Sequence, residues 1–295
     1  MIKLVLSDMD ETLKRANEPL VPKRTLKAIT ALKEAGIDFG PATGRSAYDA
    51  LPFYGFDARY LQTAICGSGK VVYGKSTLVA KRVLSAKTLE RILQVIARYK
   101  DTYLAYFDEG PAEPPLDVSI RPAWMIFGVT QAQVDYINAH YDSFTAAQGP
   151  NTVPHDKDFI SVGILAPQDQ LAREAMFDDV LTQIPEIDLV SPYTGWYDVN
   201  PKGFSKADGF KILLEYLNLT PDEVVFCGDS GNDLTLLELS PHSFCVGNGS
   251  DEAKAAATYT LNGTVDEEIV AQLMEALVAD GGDISGPHVQ VLIER

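Results

Sequence analysis

Ile2-Lys3-Leu4-Val5-Leu6-Ser7-Asp8-Met9-Asp10-Glu11-Thr12-Leu13 is the stretch that decides the fold. Residues 2–6 are a short apolar run that ends abruptly in polar residues, the pattern of a buried strand feeding a turn. Downstream, Pro22 stands where a helix accepts its first residue, and Leu26, Ile29 and Leu32 follow at near-helical spacing. Gly36 is placed to end that helix, and a second apolar run over 37–42 stops at Thr43-Gly44-Arg45. Strand, helix and strand within 45 residues make the repeating unit of a parallel sheet.

The last third repeats the alternation. Helices are expected over 210–217, 234–239 and 267–277, and strands over 223–227 and 244–246. The middle reads differently, with helices over 89–99, 131–140 and 168–183 and short strands over 103–107 and 159–164. A proline-rich stretch over 110–122 interrupts it. The expected architecture is α/β: a Rossmann-like parallel-sheet core from residues 1–82 and 194–295, carrying an inserted α+β cap domain over 83–193. Residues 281–295 read as a tail without evident order.

Composition narrows the function. The 295 residues are 46% hydrophobic and 22% charged, ordinary for a folded globular chain. Acids number 41 against 25 bases, a formal charge of −16. Such a surface repels nucleic acid and anionic lipid, so any phosphate site must be a local exception. No apolar run reaches membrane-spanning length, and the first leads straight into acids, unlike a secretion signal. Cys66, Cys227 and Cys245 all lie in apolar runs, which suits reduced, buried thiols in a cytoplasmic protein.

Four motifs carry chemistry, each at a strand end or a helix start, where open parallel sheets bind ligands. Asp8 and Asp10 are paired carboxylates; so close a pair favours a hard cation such as Mg²⁺, although a polar turn has the same look. Gly228-Asp229-Ser230-Gly231-Asn232-Asp233 adds two more acids, and equally suits a helix start with acids at the favourable end of its dipole. Thr43-Gly44 offers a hydroxyl and free amides to a phosphate oxygen. Lys206, at a helix start, opposes the local dipole and so points toward something anionic; Lys202 competes with it. The order of these four is harder to explain blandly than any one alone.

In DMDETL from Asp8, ATGRS from Ala42, GFSKADGF from Gly203, FCGDSGNDLTLLE from Phe226 and SFCVGNGSDEAKAAA from Ser243, the chain resembles phosphatases of the haloacid dehalogenase superfamily, Cof-like branch with a type IIB cap. The resemblance implies that Asp8 is the nucleophile forming an aspartyl-phosphate and Asp10 the general acid/base. It implies Mg²⁺ on the Asp8 carboxylate, the Asp10 main-chain carbonyl and Asp229. Thr43, Gly44, Lys206 and Asn232 would hold the phosphoryl group, and Asp233 would orient the metal shell or Lys206. The expected substrate is a small phosphorylated metabolite, most readily a sugar phosphate.

Two departures accompany the resemblance. Glu11 replaces the usual glycine, with its side chain expected to face solvent or else to act at the cap hinge, and Gly67-Ser68-Gly69-Lys70 replaces the usual loop after the third strand. His155 and its charged neighbours read mainly as a solvated loop tip, and Trp124 and Trp196 mainly as core. A sugar phosphomutase of the same superfamily is the nearest alternative. A phospho-aspartate signalling module is more remote, because it lacks the Asp8–Asp10 spacing.

Overall fold

The computed structural model describes residues 1–140 and 145–294. The chain forms two compact units, one of Met1–Lys81, Ala112–Val118 and Ser205–Arg295, the other of Arg82–Pro111 and Ser119–Phe204.

In the first unit, all four residues of the Leu4–Ser7 strand are buried, as in a parallel strand covered on both faces. It lies at the centre of a five-stranded sheet ordered Tyr259–Thr260, His242–Cys245, Val224–Gly228, Leu4–Ser7, Asp38–Pro41, with every pairing parallel. Leu4 and Leu6 join Phe210, Leu213, Phe226 and Leu236 in one buried cluster. Because the first strand is central, the chain moves to one side for its second strand and to the other for its third. At such a reversal of strand order, open α/β sheets place their ligand sites beyond the carboxyl ends of the strands. Residues 8–13, 43–46 and 229–233 leave those ends.

The expected Pro22 helix runs Lys23–Glu34, and Gly36 follows it at φ +81°. Beside the second strand, Ala64–Cys66, Val71–Gly74 and Thr77–Lys81 form an antiparallel sheet, joined to the core by the Ala42–Ile65 bridge. Ala112–Val118 belongs to this unit: the Tyr73 hydroxyl donates to the Ala112 carbonyl at 2.8 Å, and the Asp117 N–H donates to the Tyr48 hydroxyl.

The C-terminal segment is ordered, contrary to expectation. The Ile2 N–H donates to the Gly282 carbonyl, Pro287–Gln290 is helical, Val289 is fully buried, and the Glu294 N–H donates to the Thr260 carbonyl. Its glycines make tight turns, and short apolar contacts dock the rest beyond the reach of periodicity.

The second unit is a six-stranded sheet ordered Ile187–Tyr193, Trp196–Pro201, Val162–Leu165, Tyr103–Asp108, Ala123–Ile126, Ala146–Gln148. Helices Ala86–Ile96 and Gln170–Gln183 pack Leu89, Ile92, Met176 and Val180 on Leu104, Val162 and Ile164. Helix Gln131–His140 packs Val134 and Ile137 against Ala105, Leu165 and Trp196. The strand expected over 159–164 begins later, because Phe159 instead bridges to Leu84. Trp196 is core: Gly163 approaches its ring so closely that a Cβ there would sit 2.0 Å from it. No helix among the described residues is long and apolar enough to cross a membrane.

Candidate active site

Asp8 leaves the central strand with its N–H bonded to the Cys227 carbonyl of the neighbouring strand end, and its side chain is 7% exposed. Lys206 reaches it from the first residue of helix Lys206–Leu217, donating to Asp8 Oδ1 at 2.6 Å and to Asp233 Oδ1 at 2.7 Å. The helix start is fixed by a capping box between Ser205 and Asp208. Lys202 instead pairs with Asp188 in the second unit.

Two glycines make this approach possible. A Cβ on Gly69, at φ +96°, would fall 2.2 Å from the Ser205 carbonyl oxygen, so the 67–70 loop touches the helix start backbone to backbone. That loop is laced in turn to the Thr43-Gly44-Arg45 turn, Gly67 N–H to the Arg45 carbonyl and Ser68 N–H to the Thr43 carbonyl. A Cβ on Gly228 would meet the Asp233 carboxyl at 2.8 Å.

Asp233 is fully buried and its oxygens are spent. Oδ1 takes Lys206, and Oδ2 accepts the N–H of Asp229 at 3.0 Å and of Ser230 at 3.3 Å. Asp229 Oδ1 accepts the Thr12 hydroxyl at 2.7 Å, which ties the loop after the first strand to the Gly228–Asp233 turn. Thr43 Oγ1 accepts the Arg45 N–H at 3.1 Å, leaving its own proton to donate. Gly44 follows Thr43 in that turn, and Asn232 Oδ1 accepts the Ser230 hydroxyl. The structure thus joins Asp8, Lys206, Asp229 and Asp233 in one bonded network.

Asp8, Asp229 and Asp233 are all buried, each with an oxygen within 4.8 Å of the others, and Lys206 is the cation bonded among them. Burial pushes the Asp8 carboxyl well up; Lys206 pulls it down, while Asp233 and Asp229 push it up again. Burial and Asp233 raise the Asp229 carboxyl to about 6. Burial alone would lower the Lys206 ammonium, but Asp233 and Asp8 hold it above its usual value. An excess of buried carboxylate with only hard oxygen donors suits Mg²⁺. Asp8 and Asp229 each keep a second oxygen for it, whereas Asp233 is committed.

Asp10 faces other partners. Arg45 donates to it twice, Nε to Oδ2 at 2.6 Å and Nη2 to Oδ1 at 3.2 Å, and Lys14 Nζ donates to Oδ1 at 2.9 Å. Burial would raise the Asp10 carboxyl, but these two cations hold it below the usual carboxylate range. Arg45 also binds Asp49 at 2.9 Å. Neither Lys14 nor Arg45 stands out in the sequence as a partner of Asp10. Thr12 is equally silent there, and so is Tyr54, whose buried hydroxyl has no hydrogen-bond partner among the described residues and lies within electrostatic reach of Asp8 and Asp10.

Glu11 keeps its side chain 35% exposed, as expected, but ties it down at the surface. At φ +59° its carboxylate accepts the Ala16 N–H at 2.8 Å and binds Arg15, which also pairs with Asp266. His155 pairs with Glu90 inside the second unit.

A family model described as haloacid dehalogenase-like hydrolase matches residues 5–274. A candidate phosphatase of Haemophilus influenzae is 23% identical over 282 residues, covering 93% of this chain and 98% of its own. A phosphatase of the same superfamily from Bacteroides thetaiotaomicron superposes with a TM-score of 0.73 at 22% identity, covering 96% of each chain. A subclass IIB sugar phosphatase superposes at 0.70 with 18% identity, covering 92% of this chain and 98% of that one. The chain belongs to the haloacid dehalogenase-like hydrolase family and is an enzyme of its phosphatase-type fold.

Proposed function

We propose that this enzyme hydrolyses small phosphate monoesters, sugar phosphates foremost, through an aspartyl-phosphate on Asp8. The observation that carries this reading is the bonded network of Asp8, Lys206, Asp233 and Asp229 at the carboxyl end of the central strand.

An Asp8 oxygen attacks phosphorus. The new O–P bond forms as the ester P–O bond breaks, and its electron pair leaves on the substrate oxygen, to which Asp10 delivers a proton. In the second half Asp10 takes a proton from water. The water oxygen then bonds to phosphorus as the Asp8 O–P bond breaks, which releases phosphate and restores Asp8 as the carboxylate and Asp10 as the acid. Lys206, the Thr43 hydroxyl, the Gly44 N–H and the Asn232 amide hold the phosphoryl oxygens, while Asp233 holds Lys206 in place. Mg²⁺, held by Asp8, Asp229 and the Asp10 main-chain carbonyl, would supply neutralisation of charge on the phosphoryl oxygens.

Sugar phosphates are favoured by the fold shared with a sugar phosphatase. The test is phosphate release from a panel of sugar, polyol and aryl phosphates, with and without Mg²⁺, in wild type and Asp8→Asn. Mg²⁺-dependent release that Asp8→Asn abolishes is expected. Release that survives Asp8→Asn, or isomerised sugar phosphate without free phosphate, would overturn the reading.

A further inference from the structure

Lysines are rarely buried without a task, since an unpaired ammonium in a protein interior costs several kcal/mol. Three are at least nine-tenths buried among the described residues: Lys206, Lys70 and Lys14. Lys14 is fully buried, and the proposed chemistry does not use it.

Its environment accounts for all three of its N–H bonds. Nζ donates to Asp10 Oδ1 at 2.9 Å, to the Arg15 carbonyl at 2.7 Å and, more weakly, to the Ala16 carbonyl at 3.4 Å. The ammonium lies 4.3 Å from the centre of the Phe53 ring, and the Arg45 guanidinium lies 4.4 Å from the same centre. A leucine or methionine at position 14 would fill this space with no charge to bury, so the lysine is there for its cation. With every donor engaged, Lys14 has none left for a substrate phosphate.

Arg45 differs. It is a quarter exposed and shared between Asp10 and Asp49, so a phosphate dianion arriving nearby can draw it off. Lys14 has no such freedom, because the main-chain carbonyls that hold it belong to the same loop as Asp10.

We propose that Lys14 is a positioning residue for the reaction: it pins Asp10 Oδ1, so that Oδ2 stays directed for proton transfer when Arg45 turns to the substrate. This rests on the assignment of Asp10 as acid/base. It also makes a claim that a purely structural lysine would not. The value of kcat/KM reports steps only through loss of the leaving group. An alkoxide needs a proton from Asp10 at that step, whereas a nitrophenolate does not.

The experiment compares kcat/KM for an alkyl phosphate (a hexose 6-phosphate) and for p-nitrophenyl phosphate in wild type, Lys14→Met, Asp10→Asn and the double variant, with Mg²⁺ present. Lys14→Met should lose about 10- to 100-fold on the alkyl ester and no more than about 3-fold on the aryl ester. It should lose nothing further in the Asp10→Asn background. Equal losses on both esters, no loss on either, or a full additional loss on top of Asp10→Asn would each overturn the proposal. Should Lys14→Met fail to fold, Lys14→Gln, which removes the cation and is one atom shorter but still polar, carries the same comparison. An active wild type that Asp8→Asn silences shows that the phosphatase reading stands, so a failed Lys14 result then bears on Lys14 alone. A wild type inactive on every ester overturns both.

Discussion

Asp8 and Asp10 stand two residues apart on one loop, yet their surroundings are opposite in sign. Around Asp8, three buried carboxylates share the Lys206 ammonium, and the Asp8 and Asp229 carboxyls are pushed up. Around Asp10, Arg45 and Lys14 supply two cations and three hydrogen bonds, and its carboxyl is held down. Burial acts the same way on both, so the neighbours decide the outcome. The first cluster carries surplus negative charge that a divalent cation can complete. The second is already neutralised, and its geometry is fixed by its partners. On the proposed mechanism, one loop would thereby support a nucleophile beside a cation site and a separately held proton carrier, two like side chains given different work by their neighbours.

The contrast can be broken most forcefully at Lys206. Lys206→Met leaves Asp8 and Asp233 buried without their cation, and should cost about 3–5 kcal/mol in urea unfolding without added metal, together with nearly all phosphate release. Mg²⁺ should restore part of the stability but not the activity. A variant as stable as wild type would mean that the Asp8 cluster is not short of positive charge.

Next in size is Gly69→Ala, which adds a Cβ against the Ser205 carbonyl at a positive φ. A loss of about 2–4 kcal/mol is expected, with a fall in activity as the Lys206 helix start shifts. A neutral result in thermal unfolding would detach the 67–70 loop from the placement of Lys206.

Asp229 gives the pH arm. Its folded carboxyl is raised from 3.8 to about 6, so the metal-free folded protein holds a proton that the unfolded chain gives up. Below about pH 4 both states are protonated and there is no penalty. The penalty for ionising Asp229 grows between about pH 4 and 6 and is complete above that window. Chelator-treated Asp229→Asn, neutral throughout, should therefore gain on wild type by about 3 kcal/mol as pH rises through that window, and the gain should reverse once Mg²⁺ is added. A gain that stays constant with pH would remove Asp229 from the surplus-charge cluster.

The smallest effect belongs to Glu11→Gly. Glycine adopts φ +59° easily, but the bonds to Ala16 and Arg15 are lost, so the two changes should nearly cancel, within about 1 kcal/mol by calorimetry. A loss above about 2 kcal/mol would make the Glu11 carboxylate a principal tie of the loop.

Much of this site is legible in the sequence because parallel sheets expose the ends of their strands. Asp8, Thr43 and Asp229 each follow an apolar run, and Lys206 sits oddly at a helix start. Lys14 and Arg45 are not legible, since both read as ordinary loop cations until the fold brings them to Asp10 over the ring of Phe53. The turn between Val71–Gly74 and Thr77–Lys81 escapes because Lys75 and Ser76 both take positive φ without the usual asparagine or glycine. In the second unit, Ile187–Tyr193 and Trp196–Pro201 are marked only by a short polar turn, and pairing across the sheet, which no local pattern records, makes them strands.

The most direct measurement takes Asp10→Asn protein, saturates it with Mg²⁺ and p-nitrophenyl phosphate, quenches in acid and weighs the peptide that contains Asp8. The aryl group leaves without a proton, while water attack lacks its base, so the covalent form should accumulate and the Asp8 peptide should carry the mass of one phosphoryl group. Release of nitrophenol with that peptide unmodified, or with the phosphoryl group on another residue, would contradict the division of labour between Asp8 and Asp10.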